Sequence, residues 1–115
     1  MLRITGQTPQ SASETEALMN FVVERFGRLD CVVNNAGVSG EGGPIAGTCV
    51  EGFNKSIALL LGGPFLAIKY AVPHLQSGGT IINITSVASL VGGYGTHASQ
   101  FFRICKAKCG HQHLI

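Results

Sequence analysis

Apolar residues recur at helical spacing in a first segment, residues 13–26. The apolar positions there are Ala17, Leu18, Phe21, Val22 and Phe26. Such a repeat of three to four residues is typical of one face of an amphipathic helix. Ser11 or Ser13 offers an N-cap before it, and Gly27 stands where helices commonly end in a left-handed conformation. The pattern predicts a helix over residues 13–26.

A second and longer helix is predicted to begin after Thr48, which can form a capping box with Glu51. Its apolar face is expected to carry Phe53, Ile57, Leu61, Phe65, Ile68, Val72 and Leu75. The run Gly62-Gly63-Pro64 interrupts this pattern, and we expect a bend there because proline lacks a backbone donor. The run Ser77-Gly78-Gly79 is expected to end the helix.

Two short runs of β-branched residues predict strands over residues 31–34 and 80–84. The first run ends in Asn34-Asn35-Ala36-Gly37, and the second breaks into Thr85-Ser86. The segment 38–47, rich in glycine, is predicted to be a loop. The resulting order is helix, strand, helix, strand with short connections. It predicts a right-handed βαβ unit preceded by one more helix, and hence a parallel sheet of the α/β class.

Composition and charge narrow the class of protein. The chain has 115 residues, 45% of them hydrophobic and 12% charged, which is typical of one folded domain. The net charge of +2 is small and scattered, so we expect no nucleic-acid partner. The longest apolar stretch, residues 57–68, is shorter than a membrane span and contains Gly62, Gly63 and Pro64. Without a signal-peptide pattern, we expect a cytoplasmic protein with free thiols and no membrane partner.

Four pieces of the sequence, in this order and spacing, resemble the short-chain dehydrogenase/reductase family. They are residues 24–30 (Glu-Arg-Phe-Gly-Arg-Leu-Asp), residues 34–37 (Asn-Asn-Ala-Gly), residues 63–65 (Gly-Pro-Phe) and residues 79–86 (Gly-Thr-Ile-Ile-Asn-Ile-Thr-Ser). The resemblance covers about residues 13–98. It implies a partial Rossmann-like, doubly wound parallel sheet, NAD or NADP as cofactor, and a small alcohol or ketone as substrate. We therefore interpret residues 1–98 as a partial dinucleotide-binding domain.

The resemblance also implies which residues contact the cofactor. In the family, the residues that match Asn34, Ala36 and Gly37 lie beside the adenosine ribose of NAD(P). Small residues let the backbone approach a sugar closely, and an asparagine amide can both donate and accept hydrogen bonds. The alternative is that Asn34 and Asn35 only join neighbouring strand ends. The sequence leaves both interpretations open.

Ser86 matches the catalytic serine of the family, whose hydroxyl orients the substrate. The family's tyrosine acid/base lies about thirteen residues further on, with a lysine four beyond it, and these positions hold Ser99 and Arg103. The Tyr-x-x-x-Lys pair is therefore not matched. Leu60 stands where the family commonly has an asparagine that helps to hold a proton-relay water.

The glycine-rich turn that cradles the cofactor pyrophosphate does not precede Asn34 in this sequence. Together with the unmatched Tyr-x-x-x-Lys pair, this leads us to expect impaired cofactor binding and a truncated, inactive enzyme.

Residues 99–115 depart from the family pattern and are interpreted as a divergent tail, produced by a shifted reading frame or alternative splicing. The tail contains the zinc-type ligands Cys105, Cys109, His111 and His113, but their spacing is cramped and we predict no metal site. An alternative function is that of a non-catalytic interaction module. Exposed strand edges would then pair the chain with an intact relative, as a homo- or hetero-oligomer.

Overall fold

The described part of the chain is a helix–strand–helix–strand unit. The computed structural model describes residues 11–37 and 44–85. Its elements are α1 (Ala12–Phe26), β1 (Leu29–Asn34), a 3₁₀ turn (Ile45–Gly47), α2 (Val50–Ile57), a π-helical turn (Ala58–Gly62), α3 (Gly63–Ala71), a second 3₁₀ turn (Val72–His74) and β2 (Leu75–Asn83). The two strands pair in parallel. The α/β class, the element order and the parallel pairing that the sequence predicted are confirmed.

Helix α1 begins and ends close to the predicted positions. Ser11 is its N-cap, and the Ser11 hydroxyl accepts a hydrogen bond from the backbone N–H of Glu14 at 3.2 Å. Gly27 adopts a left-handed conformation with φ of 74°, and its N–H donates to the carbonyl of Val23 at 2.8 Å. Both end signals of the sequence are therefore confirmed, and the helix starts at Ala12, one residue earlier than predicted.

The buried face of α1 is only partly the one predicted, because Val22 packs against the core but the buried positions are others. Thr15 and Met19 are its buried residues, whereas Phe21 is 56% exposed. Thr15 can be buried because its hydroxyl donates to the carbonyl of Ser11 at 2.9 Å, so no polar atom is left without a partner. The sequence pattern alone predicted that Phe21 would be buried. It could not show that the Thr15 hydroxyl bonds to the helix backbone, and without that bond a threonine is expected to face solvent.

The elements α2 and α3 form one long helix, Val50–His74, whose predicted N-terminal cap is wrong. Cys49 is the N-cap residue, and its side chain makes no capping hydrogen bond. The hydroxyl of Thr48 donates instead to the carbonyl of Pro44 at 3.4 Å. The capping box of Thr48 and Glu51 therefore does not form, because the hydroxyl is engaged with the preceding 3₁₀ turn.

A π-helical turn stands where the sequence predicted an interruption. The N–H of Gly63 donates to the carbonyl of Ala58, five residues back rather than four. Pro64 has no N–H, and in an ordinary helix its ring would clash with the carbonyl of Leu60. The wider turn before Pro64 relieves that clash, as π-bulges do inside α-helices. The interruption is therefore a local widening within a continuous helix.

The long helix buries a different face from the predicted one after the π turn. Leu60 and Ala71 are buried, whereas Leu61, Phe65 and Val72 are exposed. Ala71 is fully buried because α3 packs against both α1 and β1. Small side chains at such a contact let helices approach closely. The large apolar residues therefore lie on the other side, and Phe65 is 62% exposed.

By length and composition alone, the long helix could cross a membrane. The apolar stretch 57–68, which is shorter than a membrane span, is only the central part of this helix. The whole helix is longer. The core helix of an α/β domain passes the same test of length and composition. Here α3 contacts α1, β1 and β2. The expectation of no membrane partner stays a prediction.

Strand β2 begins earlier than predicted and contains a glycine turn. Leu75 already pairs with Leu29, so the long helix ends at His74 and not at residues 77–79. The register then shifts, and Cys31 pairs with Thr80. Gly78 lies in this shifted segment with φ of 82°, a conformation that favours glycine. The glycines therefore shape the strand rather than end the helix.

The core lies on one face of the two-stranded sheet. Its buried residues are Met19, Leu29, Val32 and Ala71, and its partly buried residues are Val22, Val23, Ala67, Tyr70, Leu75 and Ile81. On the opposite face, Cys31, Val33, Ile82 and Ile84 are exposed. Within residues 11–37 and 44–85, helices cover one face of the sheet. This opposite face, defined by those four residues, is called the open sheet face below.

An ion pair lies at the start of β1, at the end of the strand away from Asn34. The guanidinium of Arg28 donates to the carboxylate of Asp30, with 2.8 Å between Nε and Oδ2. This hydrogen bond lowers the pKa of the Asp30 carboxyl. Both side chains are exposed, so the pair contributes little to stability.

We expect Gly79→Ala to destabilise the fold and Gly47→Ala not to. A Cβ atom on Gly79 would lie 2.9 Å from the carbonyl oxygen of Gln76 and 2.9 Å from Cδ2 of Leu75. Relieving such overpacking costs about 1–3 kcal/mol. A Cβ atom on Gly47 has nothing within 4 Å. Urea unfolding of both variants measures the difference, and equal midpoints would contradict the glycine turn described here.

Candidate functional site

The two strands end side by side, and their last residues form the candidate site. Asn34 and Asn83 are register partners at the carboxyl ends of β1 and β2. Just beyond them, the N–H of Ile84 donates to the carbonyl of Asn34 at 3.0 Å. In open α/β sheets, ligands bind outside the carboxyl ends of the strands. The topology therefore places residues 34–37 at the edge where a ligand is expected.

The side chains of the two asparagines are hydrogen-bonded to each other. Nδ2 of Asn34 donates to Oδ1 of Asn83 at 2.9 Å, and both residues are half-buried. The joining of strand ends, which the sequence left open as the alternative role of Asn34, is therefore present in the structure. A carboxamide has two donors and an acceptor with two lone pairs. The bond to Asn83 therefore uses one of the two donors of the Asn34 amide.

Sequence reasoning missed Asn83 as a functional candidate, although the signal was available. Asn83 lies within residues 79–86, a piece already quoted for the resemblance. Once β1 and β2 are taken as neighbouring parallel strands, an asparagine near the end of each strand predicts a contact between them. What the sequence did not provide was the register, which depends on the glycine turn in β2.

Ala36 and Gly37 follow the strand and are exposed. The backbone of Gly37 is outside the left-handed region. A Cβ atom there would lie 3.8 Å from Cδ2 of Leu60 and 4.0 Å from the carbonyl oxygen of Asn35, which is ordinary van der Waals contact. Within residues 11–37 and 44–85, the fold therefore does not require glycine at position 37.

The apolar side chain of Leu60 lies next to Gly37. It is buried and packs with the partly buried Phe53 and Ile57. The resemblance places a hydrogen-bonding asparagine at this position. A buried asparagine at this position would need hydrogen-bond partners, whereas a leucine only needs the apolar contacts that Phe53 and Ile57 provide. The structure therefore accommodates Leu60 as a packing residue within the π-helical turn.

Several sequence-predicted residues lie outside the described part of the chain. Ser86 follows the last described residue, Thr85, and the positions of the missing acid/base pair, Ser99 and Arg103, lie further on. The four zinc-type ligands of the tail also lie there. Ser86 as a catalytic residue and the division of the chain near residue 98 stay predictions.

Comparisons with known proteins show what this chain is similar to. A model of the enoyl-(acyl carrier protein) reductase family matches residues 10–110. An uncharacterized oxidoreductase of Thermotoga maritima is 46% identical over 83 residues, which are 70% of this chain and 33% of that protein. The L-fucose dehydrogenase of Oryctolagus cuniculus is 45% identical over 80 residues, 69% of this chain and 28% of that protein.

A solved structure gives the same result for the fold. The short-chain dehydrogenase/reductase of Serratia marcescens superposes with a TM-score of 0.83 at 25% identity, and the match covers 94% of this chain and 44% of that one. The chain thus spans about a third of the length of the curated relatives it matches. The matched family model and these relatives show that the chain belongs to the short-chain dehydrogenase/reductase family.

Proposed function

We propose that this chain forms part of an NAD(P)-dependent oxidoreductase domain acting on an alcohol or a ketone. In this proposal Asn34, Ala36 and Gly37 contact the adenosine ribose of the dinucleotide. Family membership supports the reaction class, and the relatives include a dehydrogenase of L-fucose. The observation that carries the proposal is Gly37, a glycine that neither its backbone conformation nor its packing against the described residues requires.

The residues at the strand ends fit a ribose. Gly37 and Ala36 leave room for a sugar to approach the backbone, and Asn34 offers an amide that can pair with a hydroxyl. When bound, the nicotinamide ring would accept or supply the hydride of the reaction. We propose that the chain binds the dinucleotide weakly, with either NAD or NADP as the form bound.

We further propose that the chain as it stands is inactive. Ser86 would orient the substrate, but an acid/base with a tuned pKa is also needed for proton transfer. Ser99 stands at the tyrosine position, and an aliphatic hydroxyl is far less acidic than a phenol. Arg103 stands at the lysine position, and a guanidinium does not replace an ammonium point charge there. A cytoplasmic location and the lack of nucleic-acid and membrane partners belong to the same proposal.

Gly37→Ala is expected to weaken dinucleotide binding without destabilising the fold. The added methyl group would occupy space that the proposal assigns to the ribose, and we expect the dissociation constant for NADH to rise about tenfold, which corresponds to ~1.4 kcal/mol. The free energy of unfolding should stay the same or rise by about 0.5 kcal/mol, because alanine reduces the entropy of the unfolded chain. Titration followed by NADH fluorescence measures the affinity, since the chain contains no tryptophan.

The matched control for this titration is Gly47→Ala, in the 3₁₀ turn. A Cβ atom on Gly47 meets nothing within 4 Å, and one on Gly37 makes only ordinary van der Waals contacts, so neither substitution should strain the folded chain. Gly47→Ala should bind NADH like the parent chain. Equal affinities of the parent, Gly37→Ala and Gly47→Ala would rule out a ribose contact at Gly37.

The inactivity is tested by hydride transfer itself. With L-fucose or another alcohol and either oxidised dinucleotide, we expect no formation of reduced nicotinamide above the rate of a buffer control. The physical reason is that Ser99 stands at the position of the family's tyrosine, so no phenol is available at that position to take the proton. Turnover that Ser86→Ala abolishes would show that the chain is an active enzyme and would refute this part of the proposal.

A second candidate function is a non-catalytic interaction module, and the open sheet face favours it. Val33 is 46% exposed and Ile82 is 42% exposed, on neighbouring strands. Contiguous apolar residues on a surface are a common basis for association. In this alternative the open sheet face and the strand edges pair with an intact relative or with a second copy.

The double variant Val33→Thr, Ile82→Thr is expected to abolish such pairing. Threonine keeps the β-branched shape of these strand positions but removes apolar surface. Co-purification of the tagged chain with the full-length Oryctolagus cuniculus L-fucose dehydrogenase measures the pairing. Ile45→Thr is the control, because Ile45 is an exposed apolar residue in the 3₁₀ turn and not on the sheet. If the parent chain captures no relative and does not self-associate, the second candidate is wrong.

A further inference from the structure

We propose that Asn83 is a positioning residue for Asn34. By accepting a hydrogen bond from Nδ2 of Asn34, Asn83 holds the Asn34 amide with its donor toward β2 and its carbonyl oxygen away from β2. The consequence for dinucleotide binding rests on the proposed function above. The orientation of the amide does not.

The geometry of the strand ends supports this role. The two asparagines are register partners, and 2.9 Å separates Nδ2 of Asn34 from Oδ1 of Asn83. The backbone at this point is also fixed, because the N–H of Ile84 donates to the carbonyl of Asn34 at 3.0 Å. The Asn34 backbone therefore cannot move away from β2 without losing both bonds.

A fixed amide orientation matters because an asparagine side chain has two nearly equivalent orientations. The terminal torsion of asparagine is broad and roughly two-fold, so an unheld amide can exchange its donor and acceptor positions. The oxygen and nitrogen lie on opposite sides of the planar amide. In the arrangement observed, in which Asn34 donates to Asn83, the Asn34 oxygen lies on the side away from Oδ1 of Asn83.

The chemical consequence is a preference for a ligand that donates. An amide oxygen can accept two hydrogen bonds, so other contacts of Asn34 are compatible with a ligand there. A sugar hydroxyl is such a donor. On the side of Gly37, the nearby Leu60 side chain offers no polar atom that could compete for the hydroxyl. Asn83 thus makes Asn34 an acceptor for a ribose hydroxyl without contacting the ligand itself.

The orientation is tested by hydrogen exchange of the Asn34 side-chain amide, measured by NMR on the full chain. Asn83→Leu keeps the size of the side chain and removes the acceptor, and exchange should become roughly fivefold faster, as expected for an ordinary hydrogen bond. Asn83→Asp is an acceptor only and should restore slow exchange. Asn83→Ala serves as a second deletion of the acceptor should Asn83→Leu not fold. Unchanged exchange in the folded deletion variant would overturn the proposal.

NADH titration of the same variants separates this inference from the proposed function. If the parent chain binds NADH, the deletion variant should bind it at least fivefold more weakly, and equal affinity would overturn the ribose role of Asn83. If the parent chain binds no NADH, the dinucleotide assignment is wrong. Amide exchange then still decides whether Asn83 positions Asn34.

Discussion

The parallel pairing of β1 with β2 is the constraint on which the rest of this structure depends. Parallel strands need a long crossover, and here the crossover includes the long helix Val50–His74. The pairing places that helix over one face of the sheet and forms the core around Ala71. It also brings Asn34 and Asn83, which are 49 positions apart in the chain, within hydrogen-bonding distance. The parallel pairing of β1 with β2 therefore determines both the fold and the position of the candidate site.

At the candidate site, structural and ligand-binding roles can coexist in the same residues. The amide bond between Asn34 and Asn83 joins the strand ends and at the same time orients a polar group. Gly37 differs from Asn34, because neither its backbone conformation nor its packing within the described part of the chain requires a glycine. A residue type that the fold does not need is best explained by what approaches it from outside. The ribose assignment therefore depends more on Gly37 than on Asn34.

The distribution of apolar surface connects the fold with the two candidate functions. Helices cover one face of the described sheet, while Val33 and Ile82 remain exposed on the other. On the long helix, Leu61 and Phe65 are exposed as well. Doubly wound sheets carry helices on both faces, and the match of this chain covers only about a third of the length of its relatives. The exposed apolar residues could be covered either by further parts of the same domain or by a partner protein.

The sequence by itself determined the element types, their order, the ends of α1 and the location of the candidate site after β1. These depend on local chemistry: the Ser11 cap, the left-handed Gly27 and β-branched runs that end in small or polar residues. Only the tertiary structure decided which helix faces are buried, where the long helix ends and which side chain Asn34 contacts. Thr15 and Ala71 are buried in place of larger residues because close packing and a local hydroxyl bond outweigh hydrophobicity there. Register and close approach involve residues distant in the chain, so no local pattern specifies them.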